Sequence, residues 1–226
     1  MGRQTAQGPG ASSDTLSYQP DTHHRPVNRI SVVIPSRDSE VPRAVALALN
    51  LAPYVDEVVV QNGPGGPAVA RNIGARKVTG EIVVFMDADA TLPFPEQMGC
   101  LREPDPRIVL WVPERLRNRT RHPYTELCTR LINAYNHFQT RSPDAIGTFM
   151  VVRADAFRKV NGFDPRAHFE DTDLGWRITD IGDWAVAPVE VWLNRRWKWE
   201  APWHASSRNH ERQPESWPSA FEIGTH

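Results

Sequence analysis

The stretch Glu81-Ile82-Val83-Val84-Phe85-Met86-Asp87-Ala88-Asp89-Ala90 constrains the fold more than any other. A short, unbroken apolar run rich in β-branched residues reads as a strand covered on both faces, which requires packed layers above and below a sheet. The run then ends in two carboxylates one residue apart, so the strand's exit delivers Asp87 and Asp89 to the edge of that sheet. Hard divalent cations such as Mg²⁺ or Mn²⁺ take oxygen ligands and share them with substrate phosphates. The pair is therefore a candidate metal-diphosphate site. Its ordinary alternative is a polar turn, since Asp is a common turn residue.

From Arg29 onward, strand-like and helix-like segments alternate. Ile30–Ile34 reads as a strand stopped by Pro35, and Val41–Leu51 as a helix with Val41, Val45, Ala48 and Leu49 at apolar positions. Glu57–Gln61 is a second strand. A helix runs from Ala68 to about Val78 after Pro67, a residue suited to a first helical turn, and Glu81–Met86 is the third strand. Such alternation predicts right-handed βαβ units, a mostly parallel sheet and an α/β class. Past Asp89, prolines at 93, 95, 104, 106 and 113 break the rhythm around a strand at Ile108–Val112. The spacing of Leu127, Leu131, Ala134 and Phe138 predicts a helix over about His122–Gln139 with that stripe inward. Thr148–Val152 is a further strand, Ala154–Val160 a short helix ended by Asn161-Gly162, and Glu170–Thr179 a helix with acids at its N-terminal end, where the dipole favours them.

With 226 residues and 40% hydrophobic content, the chain fits one large domain with a sizeable core. Residues 1–27, rich in Gly, Ser, Thr, Gln and Pro and without apolar periodicity, read as a disordered or loosely attached arm. The remainder, 28–226, reads as a single domain. The net charge of −1 gives the whole chain no polyanion-binding signature. Cys100 and Cys128 make no disulfide framework, and neither an apolar leader nor a membrane-length run is present, so the expectation is a cytoplasmic protein without a transmembrane segment. Seven of the eight tryptophans follow residue 175, and Arg195, Arg196, Lys198, Arg208 and Arg212 lie among Trp197, Trp199 and Trp203. That tail reads either as a solvated face with packed aromatics or as a surface that stacks on nucleic acid.

Taken in order, four motifs carry a resemblance. Ile30-Ser31-Val32-Val33-Ile34-Pro35 comes first, then Ala70-Arg71-Asn72-Ile73-Gly74 and Asp87-Ala88-Asp89. Gly162-Phe163-Asp164 with Phe169-Glu170-Asp171-Thr172-Asp173-Leu174-Gly175-Trp176-Arg177 completes the set. Over residues 29 to 193 this resembles the family 2 glycosyltransferases with the GT-A fold, an α/β/α sandwich around a mostly parallel sheet. The resemblance implies a metal-dependent, inverting transfer from a nucleotide-sugar donor to a hydroxyl acceptor, with Mn²⁺ or Mg²⁺ as cofactor. The acceptor would be a glycan, a glycolipid precursor, a protein or a modified nucleic acid. Residues 28–115 would form the donor-binding half and 116–226 the acceptor side.

The same resemblance assigns roles. Asp171 would be the base that deprotonates the acceptor, and Glu170 would orient or bind it. Asp89 would contact the metal directly and Asp87 would sit nearer ribose, with Ala88 between them at the donor. Pro35, Ser36, Arg37, Asn62 and Arg71 would line the donor pocket. The chain departs from the family at two places. Gln61-Asn62-Gly63 replaces the usual Asp-Asp-Gly-Ser, and amides meet a base edge differently from acids. After Pro188 the chain reads Val191-Trp192-Leu193, with no histidine for the metal. His204 is the nearest candidate, His210 the next, and water the alternative.

Two other readings fit parts of the chain. Gly63-Pro64-Gly65-Gly66-Pro67-Ala68 matches a Gly-x-Gly-x-x-Ala dinucleotide fingerprint, with Asp87 at the end of the next strand. Against it, Pro64 and Pro67 remove N–H donors where a pyrophosphate needs them, and the fingerprint follows the second strand. A non-catalytic sugar-nucleotide-binding shell is the other; the joint presence of Asp87, Asp89, Glu170 and Asp171 weighs against it.

Overall fold

The computed structural model describes residues 27–62, 65–119, 123–138 and 147–194. Seven strands form one sheet in the order β2-β1-β3-β6-β5-β7-β4. They are β1 (Ile30–Ser36), β2 (Glu57–Asn62), β3 (Ile82–Met86), β4 (Ala90–Thr91), β5 (Ile108–Asn118), β6 (Phe149–Arg153) and β7 (Asp183–Leu193). The helices are α1 (Val41–Leu51), α2 (Gly66–Ala75), α3 (Pro123–Phe138), α4 (Ala154–Lys159) and α5 (Glu170–Thr179). The arm expected over 1–27 and the tail beyond Asn194, with His204 and His210, lie outside the described residues except for Val27.

β1 is parallel to both β2 and β3, as the βαβ reading requires. Beyond β3 the sheet is mixed. β6 runs antiparallel to β3 and β5, β5 is parallel to β7, and β4 closes the edge antiparallel to β7. Strand alternation sorts the core into two layers. Ile30, Val32, Ile34, Val84, Met86, Phe149 and Val151 meet α1 through Ala44, Leu47 and Leu51 on one face. Val33, Val83, Phe85, Met150 and Val152 meet Ala68, Phe157, Phe163, Leu174 and Ile178 on the other. The second face therefore carries α2, α4 and α5. The chain is thus an α/β/α sandwich, and the apolar run of β3 is covered on both sides.

Three expectations need correction. In α1, Ala44, Leu47 and Leu51 are the residues that face the core, while Val45 and Leu49 of the expected apolar set are exposed. The strand at Ile108–Val112 continues to Asn118: a bulge between Pro113 and Arg115 absorbs the proline, and the strand resumes beyond it. Three members of the expected α3 stripe, Leu127, Leu131 and Ala134, face solvent while Thr129, Ile132 and Asn136 are buried; the side chain of the fourth, Phe138, lies outside the described residues. The cause is the open edge of β5, which outruns β6. There Asn133 of α3 takes the place of a strand, accepting from Leu116 N at 3.0 Å and donating to Leu116 O at 2.9 Å. A helix that completes a sheet edge presents polar side chains to it. No helix among the described residues is long and apolar enough to cross a membrane.

Candidate active site

β1, β2 and β3 end together, and their ends carry most of the expected donor residues. Ser36 lies opposite Asn62, and Asp87 follows β3 two residues past the Val33–Phe85 pair. Pro35, Ser36 and Ala88 are buried, Arg37 and Asn62 are exposed, and Asp87 and Asp89 are half-buried. Gln61 is committed elsewhere, because its side-chain carbonyl accepts from Lys77 Nζ at 2.7 Å. Asn62 is therefore the exposed amide of the pair.

Arg71, expected at the donor, lies inside the protein instead. Only 2% of the residue is exposed. One nitrogen donates to Asp87 Oδ1 at 2.8 Å and to the Gly147 carbonyl at 3.2 Å, and the other donates to Glu170 Oε1 at 2.9 Å. Phe163 lies beneath the guanidinium, 5.3 Å from its centre. Burial works against its charge, but the carboxylates of Asp87 and Glu170 outweigh it and hold Arg71 above the usual arginine range. Arg71 thus joins the end of β3 to the start of α5 and has no nitrogen directed at open solvent. Among the described residues, its buried Nε has no hydrogen-bond partner.

The same clamp places the acids. Asp171 accepts from Gly147 N at 2.6 Å and from Thr172 N at 2.9 Å, so both carboxylate oxygens are held by backbone. A Cβ at Gly147 would overlap the Arg71 guanidinium, so a larger residue here would displace the clamp. Glu170 sits where burial, the largest influence, pushes its carboxyl up; Arg71 opposes and the neighbouring Asp171 adds to the rise. These residues come from α2, the segment before β6, and α5, yet they converge on one end and one face of the sheet.

The other members of the Ala70–Gly74 motif are structural. Asn72 clips the chain at Phe163, donating to its carbonyl at 2.8 Å and accepting from its N–H at 3.0 Å. Gly74 lets α2 lie directly on Val33, whose methyl a Cβ would overlap. Arg177 reaches back to Asp173, Val160 O and Gly162 O, which ties the Gly162-Phe163 corner to α5. The spacing of these motifs did not reveal the clip between Asn72 and Phe163 or the hold of Gly147 on Asp171. Each spans a loop of the chain, and a pattern in one segment does not name its partner in another.

Among the described residues, no three His, Cys, Asp or Glu side chains gather into a cage for a metal ion. Asp89 instead stands half-exposed at a sheet edge, with its carbonyl accepting from Asn194 N at 3.2 Å. One or two carboxylates at an open edge fit an ion shared with substrate phosphates, and not an all-protein cage.

The parallel β1–β3 half, the antiparallel insertion of β6 and the carboxylates at the end of β3 and the start of α5 together give a shell of the GT-A type. The chain belongs to glycosyl transferase family 2, whose family model matches residues 28–160. The pre-mycofactocin glycosyltransferase of Mycobacterium tuberculosis is 32% identical over 133 residues, an alignment covering 52% of this chain and 27% of that protein. This chain thus spans about a quarter of the curated relative. In fold, it resembles the Pyrobaculum calidifontis mannosyltransferase PcManGT, solved with GDP-Man and Mn²⁺. That match has a TM-score of 0.56 and 21% identity, over 78% of this chain and 60% of that one. S. aureus TarS, solved with UDP-GlcNAc, matches with a TM-score of 0.52 and 15% identity, over 75% and 59% of the two chains.

Proposed function

We propose that this chain transfers a sugar from a nucleotide-sugar donor to a hydroxyl acceptor, with a divalent cation and with inversion at the anomeric carbon. The observation that carries the reading is the Arg71 clamp: one buried guanidinium holds Asp87 of the donor edge and Glu170 of the α5 start in a single unit. Asp171 is fixed beside it. Residues 28–115 supply the donor side and those from 116 onward the acceptor side.

In this reading Asp89, with Asp87 beside it, would hold Mn²⁺ or Mg²⁺. The ion would stabilise the charge that grows on the diphosphate as it leaves. Ser36 and Asn62, at the paired ends of β1 and β2, line the nucleotide side. Asp171 accepts the proton of the acceptor hydroxyl at a carboxylate oxygen whose direction is set by Gly147 and Thr172. The acceptor oxygen forms its bond to the anomeric carbon as the bond from that carbon to the diphosphate oxygen breaks. One displacement with one base inverts the centre. Glu170, tied to Arg71, positions the α5 start.

The test is a thermal-shift panel of nucleotide sugars, each with and without Mn²⁺. Stabilisation that requires both a nucleotide sugar and the metal supports the reading and identifies the donor. A shift from NAD or FAD alone overturns it. Donor binding without release of nucleoside diphosphate in any acceptor mixture would leave only a binding shell.

A further inference from the structure

Beyond the end of β6, the far half of β5 carries Arg115 and Arg117, and Arg119 follows directly after the strand, three alternate positions that are all exposed, with Leu116 and Asn118 buried between them. Alternation along β7 sets their surroundings. Ala187, Val189 and Val191 belong to the core layer against α1, so Glu190 and Trp192 face the opposite side. That is the side carrying α5, hence Glu170 and Asp171. Register puts Arg115 beside Glu190 and Arg117 beside Trp192.

The arginine heads are held in place. Glu190 accepts from Arg117 at 2.9 Å, lies 3.7 Å from Arg115 and takes the indole N–H of Trp192. The Arg119 guanidinium lies over the Trp192 ring, 5.0 Å from its centre. Among the described residues, three cations on this stripe meet one carboxylate; Glu114 falls out of the alternation at the bulge. Arg115 and Arg117 also line a cleft of about 300 Å³ between β5 and α3, whose far wall carries Arg130 paired with Glu126.

The stripe runs toward the acids. Arg119 N donates to Leu193 O at 3.0 Å, Leu193 pairs with Ala90, and Asn194 bonds to Asp89 O and to Thr91 Oγ1. Only β7 separates β5 from β4, so the stripe ends about 10 Å from the Asp89 backbone at ordinary strand spacing. It lies across β6 from the nucleotide side. Pre-positioned guanidinium groups with charge to spare recognise phosphate and carboxylate in forked geometry.

We infer that this stripe is an acceptor subsite for an anionic group, so that the hydroxyl-bearing acceptor of the proposed reaction carries a phosphate or carboxylate. The inference rests on the transferase reading, and its test is separable from that of the reading. Glucose 6-phosphate and glucose are titrated against the full chain by calorimetry without Mn²⁺, which keeps the donor's metal site out of the measurement. Glucose 6-phosphate should bind at least tenfold more tightly than glucose, and added NaCl should weaken it. The double variant Arg117→Gln/Arg119→Gln should weaken it about tenfold. Arg107→Gln, at the opposite end of β5, should leave it unchanged, and thermal midpoints without ligand report folding of each variant.

Equal affinity for the two sugars, an unchanged constant in the double variant, or an equal loss in Arg107→Gln would each overturn the inference. Tight binding of single-stranded DNA at physiological salt in place of glucose 6-phosphate would overturn it too, and would point to a nucleic-acid acceptor. A failed nucleotide-sugar panel alongside intact glucose 6-phosphate binding would count against the transferase reading alone.

Discussion

Arg71 and Glu170, 99 residues apart in sequence, meet in an ion pair of 2.9 Å that closes the start of α5 onto α2. Removing the cation takes an ion-pair partner from two carboxylates that are each less than one-fifth exposed, Asp87 and Glu170. Breaking a buried pair from one side costs about 3–5 kcal/mol, and the residual exposure here places the expectation for Arg71→Met at about 3 kcal/mol. Arg71→Lys keeps the charge but not the fork that spans both acids, so its loss should be intermediate. Urea unfolding of the three proteins measures this. Wild-type stability in Arg71→Met would show that the acids find other partners.

Asp89 and Asp171 should separate donor binding from chemistry. Asp89→Asn leaves a half-exposed edge residue and should keep the folding midpoint while losing the Mn²⁺-dependent response to the donor. Asp171→Asn should retain that response but lose about 10²–10⁴-fold in transfer rate, the usual weight of a general base. Single-turnover release of nucleoside diphosphate reports the second effect. Transfer at the normal rate in Asp171→Asn would place the base elsewhere.

Glu170 gives a pH dependence whose sign follows from its surroundings. Its carboxyl is raised above the ordinary value of 4.5, first by burial and then by Asp171, against the pull of Arg71. A group raised in the folded state binds its proton more tightly there than in the unfolded chain. Its contribution is complete below pH 4.5 and is lost as pH rises through the folded value. The stability difference between wild type and Glu170→Gln should therefore shrink as pH climbs from below 4.5 toward neutrality. Unfolding curves across that range would show it; a difference that grew instead would mean Arg71 dominates over burial.

The half of the fold from Ile30 to Met86 was legible because each strand is a short apolar run and each helix begins at a proline or a glycine turn. Those signals are local. β5 was read too short because Pro113, Glu114 and Arg115 resemble an ending; the alternation that continues through Leu116 and Asn118 was the signal that contradicts it. The inward face of α3 departs from the apolar stripe for a physical reason, since a helix that caps a strand edge turns the half-buried Asn133 to it, buries Thr129 and Asn136, and leaves leucines outside. At the site, the motifs single out Asp87, Glu170 and Asp171, and the structure brings them together around Arg71 and Gly147. The inward position of Arg71 was not legible, because a helical arginine in sequence carries no mark of the two acids that will surround it.

Gly74 offers a sharper check on the packing of α2, which holds Arg71 in place. A methyl added there overlaps Val33, a fully buried residue of β1. Overpacking of this kind typically costs about 1–3 kcal/mol, and the expectation for Gly74→Ala lies in that range. Helix propensity runs the other way and would favour alanine by at most about 1 kcal/mol, so a net loss means the contact wins. Val33→Ala alone leaves a small void, but in the Gly74→Ala background it makes room for the new methyl. The double variant should therefore be more stable than the sum of the two single losses allows, with a coupling of about 0.5–3 kcal/mol. Denaturant unfolding of the four proteins gives this cycle directly. Strict additivity would show that α2 does not rest on Val33, and the placement of Arg71 would then need another support.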